Sequence, residues 1–349
     1  MKIMMIIPTL MTGGGQRVAM DIASDDSDFI FVVIGQRTDN EFTKEVEKYH
    51  KVYYMDKQLG FNPNVFFKID KILKIEKPDV VHFHLGVSLY GLIPCFFRRK
   101  IKLFYTFHTV AEKDSEGLIR RLCFLGIKFR GLVPVAITET VRKSIQDMYK
   151  ISNVNMIYNG IDLSKYYCSK NKNNEKICLI AVGQIWKAKN HFFLVDVMDK
   201  LRETDDIDRY KLLILGDGPL KQELDDYIKE KNLSNVIELK GNVSNVFEYL
   251  ANADIFVLSS EYEGLSLATM EAMASSLPIV SLNVGGMKDL ISDNGFLVSK
   301  GDVDTFVKKI IILSRSMELR KIMGNKSVEY VKKYDKKEMR NSYLELYRS

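Results

Sequence analysis

Residues 254–286 read DIFVLSSEYEGLSLATMEAMASSLPIVSLNVGG. "DIFVLSS" and "PIVSL" are short apolar runs of strand character. "LSLATMEAMASS" between them reads as a short helix. Strand, helix and strand in succession form the unit of a parallel sheet covered on both faces. The segment also carries two glutamates, Glu263 and Glu271. Glu263 sits in a turn beside Gly264, and Glu271 lies about two turns into the helix.

The same alternation extends outward in both directions. Upstream, "ICLIAVG", "YKLLILG" and "VIELKG" are strands separated by amphipathic helices such as "HFFLVDVMDKLRE". Ahead of them lies the polar, Asn- and Lys-rich stretch 166–176, which reads as a linker. Before that linker comes a first series: "KIMMIIP", "FIFVVIG", "KVYYMD", "PDVVHFH", "KLFYTFH" and "VPVAIT", again with helices between. The chain has 349 residues, a length that suits two domains. The expected architecture is α/β: two tandem Rossmann-like, doubly wound domains facing across a cleft. Their expected bounds are 1–165 and 177–330. A C-terminal helix within 331–349 is expected to cross back to the first domain.

Composition narrows the class. Hydrophobic residues make up 46% and charged residues 28%, ordinary values for a globular chain able to bury sizeable cores. The opening "MKIMMIIPTL" is too short for a signal-peptide core and reads as a buried first strand. No run of eighteen apolar residues suggests a membrane span. Cys95, Cys123, Cys168 and Cys178 show no metal-binding spacing and read as reduced thiols of a cytoplasmic chain.

The net charge of +6 is unevenly spread, with 12 Lys or Arg against 5 Asp or Glu between Tyr90 and Lys150. Arg98, Arg99, Lys100, Lys102, Arg120, Arg121, Lys128 and Arg130 there alternate with Phe96, Phe97, Leu122, Phe124 and Phe129. Such interleaving suits either a solvated basic helix face or an anionic membrane surface. No nucleic-acid-binding motif accompanies it.

In doubly wound sheets, ligands bind beyond the carboxyl ends of strands, where loops enter helix N-termini. Several loops fit an anionic ligand. Gly13, Gly14 and Gly15 follow the first strand, and glycines let a phosphate approach the backbone. The spacing is not that of a dinucleotide fingerprint, which disfavours a nicotinamide or flavin cofactor. Lys187 and Lys189, in "VGQIWKAKN", can neutralise a diphosphate. Gly216 and Gly218, in "LGDGP", permit a tight loop. The helix after Gly264 aims its N–H groups at a pyrophosphate, while Glu263 and Glu271 can accept from hydroxyls, including a vicinal ribose pair.

These motifs resemble the retaining family 4 glycosyltransferases of GT-B architecture over nearly the whole chain. "EGLSLATMEAMASSLPIVSLNVGG" resembles the family's E-x7-E signature and its trailing VGG. "NGID" (159–162), "LGDGP", "ADIFVLSS" and "NGFLV" follow in the family's order. The resemblance is to bacterial capsule and O-antigen enzymes. It implies a metal-independent transfer of a hexose or N-acetylhexosamine from a UDP-sugar, with no other cofactor. The acceptor implied is a saccharide, expected on a polyprenyl-diphosphate carrier at the inner face of the plasma membrane.

Site roles follow from the resemblance. Gly14 would approach the donor diphosphate and Lys189 neutralise it. Glu271 would bind the ribose, and Glu263 the donor sugar near its reacting carbon. His108 would lie near donor sugar and acceptor. Gly183, Gln184, Lys187, Gly216, Asp217, Asn242, Val243, Gly264, Leu265 and Ser266 complete the implied donor set. Gln184 departs from the family, which usually has Arg there; an amide cannot balance phosphate charge. Two other readings share the nucleotide sugar: an epimerase-like enzyme and a non-transferring binding protein.

Overall fold

The computed structural model describes residues 1–349 except 12, 59–61, 87, 115–116 and 167–175, with the side chains of Ser88 and Leu89 also left out. Most of the expected linker 166–176, and Cys168 with it, lies outside the described residues. The chain forms two compact units, residues 1–160 with 336–349, and residues 161–335.

The first unit holds β1 (Ile3–Ile7), β2 (Phe29–Val33), β3 (Lys51–Tyr54), β4 (Val80–His84), β5 (Lys102–Phe107), β6 (Leu132–Ala136) and β7 (Asn155–Met156). They pair in the order β3-β2-β1-β4-β5-β6-β7, all parallel. The second unit holds β8 (Ile177–Val182), β9 (Tyr210–Leu215), β10 (Ile237–Gly241), β11 (Ile255–Leu258), β12 (Ile279–Leu282) and β13 (Gly295–Val298). Their order is β10-β9-β8-β11-β12-β13, again all parallel. Central strands β1, β4, β11 and β12 are buried along their whole length, because helices cover both faces of a parallel sheet.

Helix starts follow local chemistry. Asn40, Thr138, Ser266, Asp302 and Ser316 each accept a backbone N–H three residues on, satisfying a donor that the helix cannot. The C-terminal helix Lys336–Arg348 belongs to the first unit. Its Tyr343 and Tyr347 are fully buried there. Arg340 donates to the Ile22 carbonyl at 3.1 Å and to Asp26 at 2.9 Å.

In each sheet the strand order reverses once, between β1 and β4 and between β8 and β11. Chains leaving these neighbouring strands turn to opposite faces and leave a crevice at their carboxyl ends.

Candidate active site

In the second unit, the loops that leave β8 and β11 meet. Lys189 Nζ lies 2.5 Å from Glu263 Oε1, forming an ion pair in which Lys189 is 24% and Glu263 11% exposed. Ser260 Oγ donates to the same Oε1 at 2.7 Å. Both donors take one carboxylate oxygen, so Oε2 can be turned to a ligand hydroxyl. Backbone contacts hold the two loops in register: Glu261 N–H donates to the Ala188 carbonyl at 2.9 Å, and Ser259 Oγ to the Lys189 carbonyl at 2.9 Å. Asn190 Nδ2 donates to Glu261 Oε1 at 2.7 Å.

Two glycines make the arrangement possible. Gly285 has φ +44°, and a Cβ there would stand 1.8 Å from the Glu263 carbonyl oxygen. The Gly286 N–H donates to that same oxygen at 3.3 Å. Gly216 has φ +142°, and its Cβ would fall 2.0 Å from the Gly183 oxygen. Glycine thus lets the loop after β9 press on the loop after β8, and lets the 285–286 turn press on Glu263.

Gly264, Leu265 and Ser266 are buried and lead from Glu263 into the helix Leu267–Ala274, which Ser266 caps through the Thr269 N–H at 3.3 Å. Glu271 is the fifth residue of that helix and half-buried. Gln184 and Lys187 are exposed on the loop after β8. Asp217, after β9, accepts from Lys221 at 2.7 Å and from the Gly218 N–H at 2.8 Å, and Lys221 helps hold its carboxyl below the ordinary range. Asn242 and Val243 follow edge strand β10, so the strand order sets them two strands from β8.

In the first unit, Gly14 is the exposed first residue of the helix Gly14–Ala23, after β1. His108 follows β5. Its backbone N–H donates to Asp114 Oδ2 at 3.0 Å, and Tyr105 hydroxyl donates to Oδ1 of the same carboxyl. Burial pushes Asp114 up to about 6, against the pull of those donors. Burial also holds His108 down at about 4, so its ring is neutral near pH 7. His108 Nε2 lies 2.9 Å from His84 Nδ1.

Sequence reasoning passed over Ser260, Asp114 and Tyr105, and assigned no role to His84. Each acts through a partner distant in the chain or across a turn, for which local pattern carries no signal. Among the described residues, no group of three His, Cys, Asp or Glu could hold a metal ion.

The basic stretch 96–130 is only partly a surface. Arg130 is buried, donating to the Cys95 carbonyl at 3.0 Å and the Ile101 carbonyl at 2.9 Å. Arg98 is bound to Asp70 and the Pro94 carbonyl. Lys102 donates to the carbonyls of Tyr347 and Arg348 at 3.2 Å, at the end of the C-terminal helix. All three tie the fold together, but only Arg130 leaves the expected surface set: Arg98 is half-buried, and Lys102 stays exposed with its ammonium held at the helix end. Arg99, Lys100, Arg120, Arg121 and Lys128 remain exposed, with Phe97, Phe124 and Phe129.

Known proteins match both units. The family model described as Glycosyltransferase Family 4 matches residues 12–165, and that described as Glycosyl transferases group 1 matches residues 167–329. The UDP-Gal:alpha-D-GlcNAc-diphosphoundecaprenol alpha-1,3-galactosyltransferase of Escherichia coli is 27% identical over 263 residues, 69% of this chain and 67% of that one. A Campylobacter jejuni N-acetylgalactosamine-N,N'-diacetylbacillosaminyl-diphospho-undecaprenol 4-alpha-N-acetylgalactosaminyltransferase is 33% identical over 189 residues, 52% of this chain and half of its own. Among solved structures, Anabaena HepE in complex with UDP superposes with a TM-score of 0.83 over 99% of both chains, at 18% identity. That likeness concerns the fold, and it extends through both parallel sheets. With one model matching each unit, the chain belongs to glycosyltransferase family 4 and has the GT-B fold.

Proposed function

We propose that this glycosyltransferase moves a hexose or N-acetylhexosamine from a UDP-sugar to a saccharide on a polyprenyl-diphosphate carrier, with retention and without a metal. The observation that carries the reading is the Lys189–Glu263 contact at 2.5 Å. A sugar nucleotide places a phosphate directly beside sugar hydroxyls. A cation and a carboxylate in contact at the strand-order reversal suit that juxtaposition. The acceptor class is supported by the names of the Escherichia coli and Campylobacter jejuni relatives, both of which include a diphosphoundecaprenol-linked sugar.

The chemistry follows from the residues. An acceptor oxygen bonds to the anomeric carbon on the face from which the diphosphate leaves. The C–O bond to the diphosphate breaks, and the departing oxygen takes the acceptor proton. Lys189 and the N–H groups opening the helix Leu267–Ala274 stabilise the charge on the leaving group. Glu263 takes a sugar hydroxyl, and Glu271 takes the ribose. Gly14 and His108 keep the roles that the family resemblance implies, at the diphosphate and the donor sugar. Family membership favours transfer over an epimerase or a bare binding protein. The test is a screen of nucleotide sugars against carrier-linked saccharides, read by mass, with and without chelator. A product of donor sugar plus acceptor, unchanged by chelator, is expected. Free sugar alone, or activity restored only by Mn²⁺ or Mg²⁺, overturns the reading.

We further propose that the first unit docks on the anionic inner face of the plasma membrane. No helix among the described residues is long and apolar enough to cross a bilayer. Phe97 is 89% and Phe129 54% exposed, on a face carrying Arg99, Lys100, Arg120, Arg121 and Lys128. A groove of about 390 Å³ there is lined by Arg120, Arg121, Phe124, Leu125, Met148 and Tyr149. Exposed rings among cations suit a negatively charged lipid surface, at about 1 kcal/mol per cation. Sedimentation with anionic liposomes is expected to fall with salt and to fail when Arg99, Arg120, Arg121 and Lys128 are changed to Glu. Unaltered binding by that variant sinks the docking surface.

A further inference from the structure

Along β4 and just beyond β5, three histidines stand in a row. His82 and His84 alternate on β4 and so share one face of the sheet. Their rings are 4.1 Å apart, and the rings of His84 and His108 are 5.2 Å apart. His82 and His84 have no exposed surface. His82 uses both ring nitrogens: Nδ1 is 2.6 Å from Tyr347 hydroxyl and Nε2 is 2.8 Å from Thr106 Oγ1. Tyr343 hydroxyl also meets Thr106 Oγ1, at 3.0 Å. The C-terminal helix thereby fixes His82, against which the tilted ring of His84 packs.

His84 differs from His82. Its Nδ1 meets His108 Nε2 at 2.9 Å, whereas its buried Nε2 has no hydrogen-bond partner among the described residues. Burial holds both rings below the ordinary imidazole value, so each carries one N–H near pH 7. One proton lies between the two rings, and its owner can be deduced. If His108 Nε2 donated it, the proton of His84 would sit on Nε2, where nothing accepts it. An N–H buried without an acceptor is the costlier orphan; a lone pair in the same place is tolerated more readily. The proton therefore belongs to His84 Nδ1, and His108 accepts it. The proton of His108 is then on its Nδ1.

We infer that His84 is a positioning residue: its Nδ1–H orients the His108 ring and fixes the tautomer that presents Nδ1–H, so His108 meets a ligand oxygen as a hydrogen-bond donor and not as a base. A donor there stabilises negative charge on a sugar or phosphate oxygen, in keeping with a transfer in which the leaving diphosphate takes the acceptor proton. The catalytic consequence rests on the proposed placement of His108 at the donor sugar; the tautomer does not.

Two measurements separate these levels. Long-range ¹H–¹⁵N spectra of the protein at pH 7 read the tautomer without turnover. Protonated Nδ1 on both His84 and His108 is expected, and a proton on His108 Nε2 overturns the inference. The second measurement is steady-state kinetics with the donor–acceptor pair found in the screen. His84→Leu removes the donor, and His84→Gln moves it to the Nε2 position. Each is expected to lower kcat by about tenfold to a hundredfold, more than it raises KM. His84→Asn places an amide N–H where Nδ1–H stood and is expected to recover most of that loss. If Asn is as slow as Leu, His84 is only filling space and the inference falls. An unchanged kcat in His108→Ala overturns instead the placement of His108 in the site.

Discussion

Gln184 stands where the family resemblance implies an Arg. It is exposed, directly after Gly183, and its carbonyl accepts the Trp186 N–H at 3.0 Å. That backbone turn does not depend on the side chain; on the proposed donor site, Gln184→Arg adds a cation beside the leaving diphosphate. UDP is expected to bind about threefold to tenfold more tightly by calorimetry, the range of a solvent-exposed charge-assisted contact of about 1 kcal/mol. Weaker binding would mean that Lys187 or Lys189 already takes that position. Asp114 makes a second prediction, on stability. Its folded pKa, raised by burial from 3.8 to about 6, exceeds the unfolded one, so folding favours the protonated carboxyl. Ionisation costs the folded state on the order of 3 kcal/mol above pH 6, and the cost disappears as pH falls toward 4. Urea denaturation of wild type and Asp114→Asn from pH 7.5 to 4.5 checks this. Wild type is expected to gain stability relative to the variant as pH falls through 6, and a constant difference refutes it.

At the scale of elements, the 285–286 turn shows how tightly a loop constrains the site. Gly285→Ala puts a Cβ at φ +44° and 1.8 Å from the Glu263 carbonyl oxygen, which is backbone and cannot rotate away. The variant is expected to lose roughly 1–3 kcal/mol of stability in denaturant and to bind UDP more weakly, because the displaced segment carries Glu263. Unchanged UDP affinity in a folded variant would detach this turn from the site. The elements themselves were legible in sequence where their patterns are local. The strand–helix–strand of 254–282 and the tight loop at Gly216 and Gly218 follow from side-chain period and backbone freedom within a few residues, whereas the cap at Ser266 and the close approach at Gly285 came from the structure. The stretch 96–130 was legible only in part. Arg130 and Arg120 look alike in sequence, yet Arg130 is buried against three carbonyls and Arg120 is exposed. An arginine enters a core only where carbonyls converge to satisfy its fork, and that convergence is set by packing.

The whole molecule depends on its C-terminal fourteen residues, 336–349, which the chain returns to the first unit. Removing them strips three buried side chains, Met339, Tyr343 and Tyr347, at about 1.5–3 kcal/mol each, and leaves His82 and Thr106 with unmet partners. Truncation before Lys336 is expected to lower the first unit's stability by about 5 kcal/mol or more, read as an earlier denaturant transition; an unmoved transition refutes it. The sequence by itself determined the fold class, the two parallel sheets and the family, because apolar period, turn residues and motif order are properties of neighbouring residues. Only the tertiary structure decided which groups face one another. Lys189, and not Lys187, meets Glu263 from 74 residues away, and His82 meets Tyr347 from 265 residues away. Such pairs are chosen by strand order and register, which bring the ends of β8 and β11, or β4 and the last helix, to one place, and no local pattern of residues encodes that meeting.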